Sequence, residues 1–123
     1  MEIDQITKSQ IEPLLDYFKK VIPLKKEEKE LVVQSFQPRL YRKRQFVLQQ
    51  GDVCKYFNFV VRVCLRMYAT DKKGSTHILQ FAHENWWIAD MRSFIHKEAS
   101  SLNIDALEDT MVLQIDFEKL TGL

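Results

Sequence analysis

The sequence predicts a mainly β protein: a β-roll or jelly roll (a double-stranded β-helix) with two N-terminal helices, a one-turn helix inside the roll and the start of a C-terminal helix. Three observations support this prediction. Apolar residues recur at three- and four-residue spacing in the first third of the chain. Short runs rich in β-branched and aromatic residues follow, separated by turn signals. One short segment among those runs, residues 90–95, can instead form a single helical turn.

The N-terminal region predicts two amphipathic helices. The first carries an apolar stripe of Ile11, Leu14, Leu15, Phe18 and Ile22. Ser9 and Glu12 fit a capping box at its start, and Pro23 ends it. The second helix is expected over residues 25–36 and is closed by Pro38, with an apolar stripe of Leu31, Val32 and Phe36.

The remainder of the chain predicts strands. The expected runs are residues 46–48, 56–63, 64–70, 75–82, 86–88, 102–107 and 111–115. Turn signals at Gly51-Asp52 and at residues 71–74 separate them, and the second is a hairpin loop that ends in glycine. Asp116 is placed to cap a C-terminal helix that begins at Phe117. Many short strands joined by tight turns favour a sandwich or barrel, here a β-roll.

Size and composition indicate one ordinary globular domain. The 123 residues are 46% hydrophobic and 28% charged, with a formal net charge of +1, so no overall field favours nucleic acid or an anionic membrane. No apolar run approaches the roughly 20 residues of a membrane helix. Cys54 and Cys64 form no metal-binding pattern and are expected to be reduced thiols in a cytoplasmic protein. We expect a single domain over residues 1–123, with N-terminal helices in 1–36, the β-roll in 37–116 and the C-terminal helix starting in 117–123.

The segment between Glu84 and Asp109 is the candidate functional site. Asp90 is a predicted N-cap, because its carboxylate can accept the orphan backbone N–H groups of the helical turn that follows. Alternating polar and apolar residues at 100–107 predict a half-buried strand opposite that turn. A helix N-terminus that faces a later strand is a potential anion site.

The order of these elements resembles the cyclic-nucleotide-binding domain of Crp/Fnr-type transcription regulators, in the branch with a Trp-Trp-Ile-Gly-Asp type segment. The resemblance covers nearly the whole chain, and the residues that carry it are 22–24, 46–52, 64–68, 71–74, 77–81, 86–90 and 106–109. It implies an effector-sensing domain that is not an enzyme and needs no cofactor. It also implies that DNA is bound only through a C-terminal domain absent from these 123 residues, and that an extended C-terminal helix would support a homodimer.

In the family, a phosphate-binding cassette contains a Phe-Gly-Glu triplet, and an arginine ten residues past its glutamate pairs with the cyclic phosphate. Here Ala89 stands for the glycine and Asp90 for the glutamate, Ser100 stands where the arginine belongs, and Ser101 matches the serine that follows it. The candidate ligand-binding residues are therefore Ile88, Ala89, Asp90, Met91, Arg92, Ser100 and Ser101. Because a hydrogen bond to a charged group contributes about 1.5–3 kcal/mol, loss of the arginine alone predicts an affinity for cyclic AMP at least about ten- to a hundredfold weaker.

Two further positions depart from the family pattern, which places glycine at the turns occupied here by Arg44 and Val63. A β-branched residue strongly disfavours positive φ. We therefore expect either that the turn at Val63 is rebuilt or that its flanking strands meet differently.

Several other residues allow a functional and a structural interpretation. Trp86 and Trp87 are expected to divide between core and surface in preference to stacking on a purine-like ligand. The basic run of Arg39, Arg42, Lys43 and Arg44 is expected to be a solvated strand edge. Cys54 is expected to be inert because only Lys55 nearby could lower the pKa of its thiol.

Two alternatives to an effector-sensing domain stay open. The altered cassette also fits a degenerate, ligand-free protein-interaction domain. The third and weakest hypothesis is a metal-dependent cupin-like enzyme, because cupins share the β-roll. It would draw its ligands from His77, His83 and His96, which form no His-x-His pair.

Overall fold

The computed structural model describes residues 11–16 and 25–122, of which residues 11–16 are helical and form α1. The other elements follow in chain order as α2 (Lys26–Ser35), β1 (Gln37–Tyr41), β2 (Phe46–Leu48), β3 (Tyr56–Arg62), β4 (Leu65–Thr70), β5 (Thr76–Ala82), β6 (Trp87–Ile88), α3 (Met91–His96), β7 (Asn103–Ala106), β8 (Thr110–Asp116) and α4 (Phe117–Thr121). The predicted stripe residues Phe18 and Ile22, the cap Ser9 and the helix-ending Pro23 lie outside the described residues.

The strands form two four-stranded antiparallel sheets, which confirms the predicted β-roll. Sheet A has the order β1-β8-β3-β6, and sheet B has the order β2-β7-β4-β5. Strand β8 pairs with β1 on one side and β3 on the other, so it is one of the two inner strands of sheet A. Strand β7 lies between β2 and β4 in sheet B. Consecutive strands therefore alternate between the sheets, except for the β4–β5 hairpin, which lies within sheet B.

Sheet A is covered on both faces, which explains why β8 is buried almost throughout. Val60 and Val112 point toward sheet B and join the core between the sheets. Leu113 and Ile115 belong to a second core that also contains Leu14 of α1. A strand buried on both faces loses the polar and apolar alternation of a half-exposed strand. The N-terminal helices are therefore the outer cover of sheet A.

The second helix differs from prediction in two respects. Leu31 is 44% exposed, whereas Val32 and Phe36 are buried as predicted, and Ser35 takes the remaining inward position. The Ser35 hydroxyl is tolerated there because it donates to the Leu31 carbonyl at 2.6 Å. Pro38 does not simply close the helix. It lies within β1, an edge strand of sheet A that the sequence analysis did not place, and edge strands accept proline because one side of their backbone is unpaired.

The first of the two outcomes expected at Val63, a rebuilt turn between β3 and β4, is not observed. Val63 itself adopts φ 76°, and Arg44 adopts φ 66°, so both positions keep the left-handed backbone that the family builds with glycine. The Val63 N–H donates to a carboxylate oxygen of Glu84 at 2.8 Å. Its side chain is 37% exposed, so no core packing opposes the unusual backbone.

Other turns agree with their sequence signals. The hairpin between β4 and β5 contains Gly74 at φ 86°, and the Asp71 carboxylate accepts from the N–H groups of Lys73 and Ser75, both at 2.9 Å. Asp116 caps α4 as predicted, accepting from the Lys119 N–H at 2.8 Å. In the part of the chain that the structure describes, no helix has the length and apolar character needed to cross a membrane.

Candidate ligand-binding cassette

Residues 88–101, from the last residue of β6 to just before β7, are called the cassette, and they contain α3. The predicted N-cap is confirmed: Asp90 has extended backbone, and its Oδ1 accepts from the Ser93 N–H at 3.3 Å. The helix ends at Lys97, whose left-handed backbone has φ 58°. The short helix α3 is therefore bounded by the Asp90 carboxylate at its start and by the left-handed residue Lys97 at its end.

Ser93 fixes this helix to the rest of the roll. Its side chain is buried, and its hydroxyl donates to the Glu98 carbonyl at 2.5 Å while accepting from the Cys54 N–H at 2.8 Å. An unmade hydrogen bond at a buried backbone group is costly, and this hydroxyl satisfies the buried Cys54 N–H together with the partly buried Glu98 carbonyl. The sequence analysis missed Ser93, because a serine inside a short helix carries no distinctive local signal.

Ser100 lies directly against the cap. It is 4% exposed, and its hydroxyl donates to Oδ2 of Asp90 at 2.5 Å and accepts from the Leu102 N–H at 2.9 Å. Its backbone is paired as well, since Gly51 N–H donates to Ser100 O and Ser100 N–H donates to Asp52 O, both at 2.8 Å. Both carboxylate oxygens of Asp90 thus have donors from the chain itself. Ser100, which the resemblance places in the arginine position, donates a neutral hydroxyl to a carboxylate.

The nearby cations form ion pairs with other carboxylates. Arg92 Nε lies 3.6 Å from a carboxylate oxygen of Glu98, and Lys97 Nζ lies 3.1 Å from one of Glu118. The Arg92 side chain is 82% exposed. Among the described residues, no lysine or arginine forms an ion pair with Asp90. The anion position at the start of α3 is therefore filled by the protein's own carboxylate.

The seven candidate site residues do not form one surface. Asp90 and Ser100 are brought together at the cap, whereas Ile88 and Ala89 are buried in the core between the sheets. Met91, Arg92 and Ser101 are exposed. The cassette thus has a satisfied polar centre, an apolar base and an outward-facing rim.

The two tryptophans divide as predicted. Trp86 is 56% exposed, whereas Trp87 is partly buried beneath the N-terminal helices. The Trp87 ring centroid lies 4.8 Å from that of Phe57, 4.9 Å from that of Phe59 and 6.0 Å from that of Phe36. Tilted aromatic packing of this kind is a structural role.

Both cysteines are free thiols in buried positions. Burial raises the pKa of the Cys54 thiol above its ordinary value and has the same effect on the pKa of Cys64. Since the thiolate is the reactive form, this environment favours the inert interpretation of Cys54 over redox sensing.

The histidines do not converge. Within residues 11–16 and 25–122, no three histidine, cysteine, aspartate or glutamate side chains group closely enough to hold a metal ion. His77 instead lies 2.9 Å from a carboxylate oxygen of Asp71, in the exposed β4–β5 hairpin.

A second candidate region, whose lining contains no cassette residue, was not predicted from the sequence. A cavity of about 560 Å³ opens between sheets A and B, with walls from β1, β2, β3, β7 and the 51–56 segment. Arg39, taken from sequence as part of a solvated edge, lines this cavity, while Arg42 and Lys43 point outward and pair with Asp109 and Glu108. No local motif could reveal the cavity, because its walls come from five separate parts of the chain.

An antiparallel roll with a short capped helix between two of its strands defines a class of β-roll domains. The sequence model of the cyclic nucleotide-binding domain matches residues 38–123, which is more than half of the chain. The chain therefore belongs to the cyclic nucleotide-binding domain family, and it is related to the sensor domains of Crp/Fnr-type regulators.

Solved structures agree with this assignment. The Thermus thermophilus catabolite activator protein is 25% identical, with a TM-score of 0.72 over 86% of this chain and 48% of its own. The sensor domain of the transcriptional regulator DNR from Pseudomonas aeruginosa is 18% identical, with a TM-score of 0.73 over 91% of this chain and 74% of its own. The regulatory subunit of a cAMP-independent protein kinase A from Trypanosoma cruzi, bound to guanosine, is 10% identical, with a TM-score of 0.68 over 91% of this chain and 44% of its own.

The chain thus spans about half the length of the first of these proteins. The structures with lower identity show the fold alone. No curated protein matches the sequence.

Proposed function

We propose that this chain is a non-enzymatic, effector-sensing domain whose cassette does not bind cyclic AMP or cyclic GMP tightly. The observation that supports this proposal is the hydrogen bond of 2.5 Å between the buried Ser100 hydroxyl and the Asp90 carboxylate. A cyclic phosphate placed at the start of α3 would meet this carboxylate without a counter-charge, and an unpaired charge in a dry site is strongly disfavoured.

The lack of a substitute cation supports the same conclusion. Arg92 and Lys97 are the described cations on or beside α3, and both are paired with glutamates on the outer surface. Recruiting either one would break an ion pair and would draw an exposed side chain toward the buried cap. The cAMP-independent Trypanosoma cruzi subunit, which shares the fold, is compatible with a sensor that does not use cyclic AMP.

The test is isothermal titration of the chain with cyclic AMP and cyclic GMP. We expect no binding at micromolar concentration, and micromolar affinity for either nucleotide would refute the proposal. We expect Ser100→Arg combined with Asp90→Glu to gain at least about tenfold in affinity, since a charge-assisted hydrogen bond contributes about 1.5–3 kcal/mol.

The matched control is Ser101→Arg combined with Asp90→Glu, because Ser101 is the exposed neighbour of Ser100. It adds the same charge one residue away, so a gain confined to the Ser100 variant assigns the effect to the cassette. Equal gains in both variants would mean that net charge, and not a restored phosphate contact, is responsible.

A second candidate function is a ligand-free protein-interaction domain. The observation that favours it is that, among the described residues, every buried side-chain nitrogen and oxygen already has a hydrogen-bond partner. The two functions are distinguished by a thermal-shift screen with nucleotides, nucleosides and small organic acids. A saturable rise in Tm supports the sensor, whereas no rise with any of them supports the interaction domain.

A further inference from the structure

The cavity between the sheets is large enough for a small organic ligand. Its volume of about 560 Å³ lies within the range of roughly 300–1,000 Å³ that is typical of ligand pockets. No cassette residue between 88 and 101 lines it. The cavity therefore does not include the cassette.

The cavity has an apolar floor and aromatic walls. Leu48 and Ile104, both buried, come from β2 and β7 of sheet B. Tyr41 from β1 and Tyr56 from β3 line the side that belongs to sheet A, and Phe46 is also in the lining. Flat rings next to branched aliphatic side chains favour a planar, apolar group in the ligand.

The polar groups of the cavity favour negative charge. Arg39 and Lys55 both line it, and in the described part of the chain neither forms an ion pair with a carboxylate. Asp52 is the one acidic residue in the lining, so the cations outnumber the carboxylates by two to one. The Arg39 guanidinium carbon lies 4.7 Å from the centroid of the Tyr41 ring. This stacking orients the guanidinium while leaving its N–H donors for an acceptor in the plane.

A buried network adds a neutral donor at the inner end. The Tyr41 hydroxyl accepts from Gln114 Nε2 at 2.6 Å, and the same nitrogen donates to Asn58 Oδ1 at 2.9 Å. Since the hydroxyl is the acceptor here, its own proton is left for a second partner. Burial raises the pKa of the Tyr41 phenol above its ordinary value, so it keeps that proton at neutral pH.

We propose that this cavity binds a small aromatic carboxylate, with the ring against the tyrosines and the aliphatic floor and the carboxylate between Arg39 and Lys55. This inference does not rest on the proposed behaviour of the cassette. It assigns the domain a second ligand site, on the opposite side of the 51–54 segment.

The 51–54 segment connects the two sites. Cys54 lines the cavity, and its N–H donates to Ser93 of α3. Asp52 also lines the cavity, and its carbonyl accepts from the Ser100 N–H at 2.8 Å. A ligand that orders this shared wall is therefore expected to slow amide exchange at Cys54 and Ser100.

The experiment is isothermal titration of the unmodified chain with cinnamate, cinnamamide and acetate. Cinnamate supplies the ring and the charge, cinnamamide retains the ring without the charge, and acetate retains the charge without the ring. We expect cinnamate to bind at least about tenfold more tightly than either of the others. Equal affinity for cinnamate and its amide, or no binding of cinnamate at millimolar concentration, would overturn the proposal.

Two variants locate the site. Arg39→Met is expected to weaken cinnamate about tenfold while leaving cinnamamide unchanged, whereas Arg62→Met is the matched control, since Arg62 is exposed and does not line the cavity. An equal loss in both variants would place cinnamate elsewhere and overturn the assignment.

Discussion

The turn at Val63 and the cassette both depart from the residue pattern that the family resemblance implies, but the replacement residues act differently in the two places. At the turn, valine occupies a left-handed conformation at φ 76° and the strain is local. In the cassette, the replacement residues bond to one another, with Ser100 donating to Asp90 and Asp90 capping α3. The turn adopts a left-handed backbone although valine disfavours it, whereas the backbone of the cassette is stabilised by hydrogen bonds of its own side chains.

This difference separates what preserves the fold from what preserves ligand chemistry. A left-handed non-glycine residue costs on the order of 1–3 kcal/mol, which a roll with two packed cores can absorb. Ser100, at the position where the resemblance expects the phosphate-pairing arginine, instead donates to the capping carboxylate. The start of α3 is therefore held by side-chain hydrogen bonds within the cassette, without an arginine at that position.

The largest expected effect is a loss of folding stability from a substitution in the cassette. Ser93→Ala removes the hydroxyl that bonds Cys54 N–H and Glu98 O, leaving two backbone groups without their partner. The buried Cys54 N–H costs about 1–3 kcal/mol when it is unsatisfied, and the partly buried Glu98 carbonyl adds about 1 kcal/mol, so we expect the free energy of unfolding to fall by about 2–4 kcal/mol in urea denaturation.

The control for that prediction is Ser101→Ala, at an exposed serine of the same segment, which should change the free energy of unfolding by less than about 0.5 kcal/mol. Similar losses in the two variants would show that helix propensity or solvent exposure, and not the buried hydroxyl, determines the stability of the cassette.

The Ser93 contacts also mark the limit of sequence reasoning. The Asp90 cap, the β4–β5 hairpin and the strand at 103–106 were predictable because each depends on residues close together in the sequence. The Ser93–Cys54 bond joins residues 39 positions apart and has no local signature. The cavity likewise has no local signature in the sequence, since Arg39 and Ile104 line it together only when the two sheets face each other.

The Val63 turn gave a different kind of error. The sequence rule that a β-branched residue avoids positive φ is a statement about local energy, and at this position tertiary structure outweighs it. Sheet A requires the chain to end β3 at Arg62, and sheet B requires β4 to begin at Leu65, which leaves two residues for the crossing. With so short a connection, the backbone conformation is fixed by the sheets and valine must adopt it.

The second prediction acts on the turn. Val63→Gly removes the strain of a left-handed β-branched residue, about 1–3 kcal/mol, but adds the glycine entropy cost of about 0.5–1 kcal/mol. We expect a net gain of about 1 kcal/mol in the free energy of unfolding, measured by urea denaturation.

Arg62→Gly is the matched control for this gain, because it adds the same flexibility one residue earlier, within β3. It should destabilise the protein by about 0.5–1 kcal/mol. A loss of stability in Val63→Gly as well would mean that the valine side chain contributes more through packing than the backbone loses through strain.

The smallest effect concerns the contact that holds the turn. Glu84 accepts the Val63 N–H at 2.8 Å, and this bond holds the pKa of the Glu84 carboxyl below its ordinary value. A carboxyl whose pKa is lower in the folded state than in the unfolded chain contributes stability above the unfolded pKa of about 4.3, and that contribution is lost as the pH falls through the folded value.

Glu84→Gln removes this titration, so the stability difference between the unmodified chain and the variant should shrink as the pH is lowered from about 6 to about 3. The control is Glu30→Gln, which removes the same charge from an exposed position on α2, and the Glu84→Gln result is compared with it by urea denaturation over the same pH range. A difference for Glu84→Gln that stays constant with pH would show that the turn is held by the sheets alone, without help from the carboxylate.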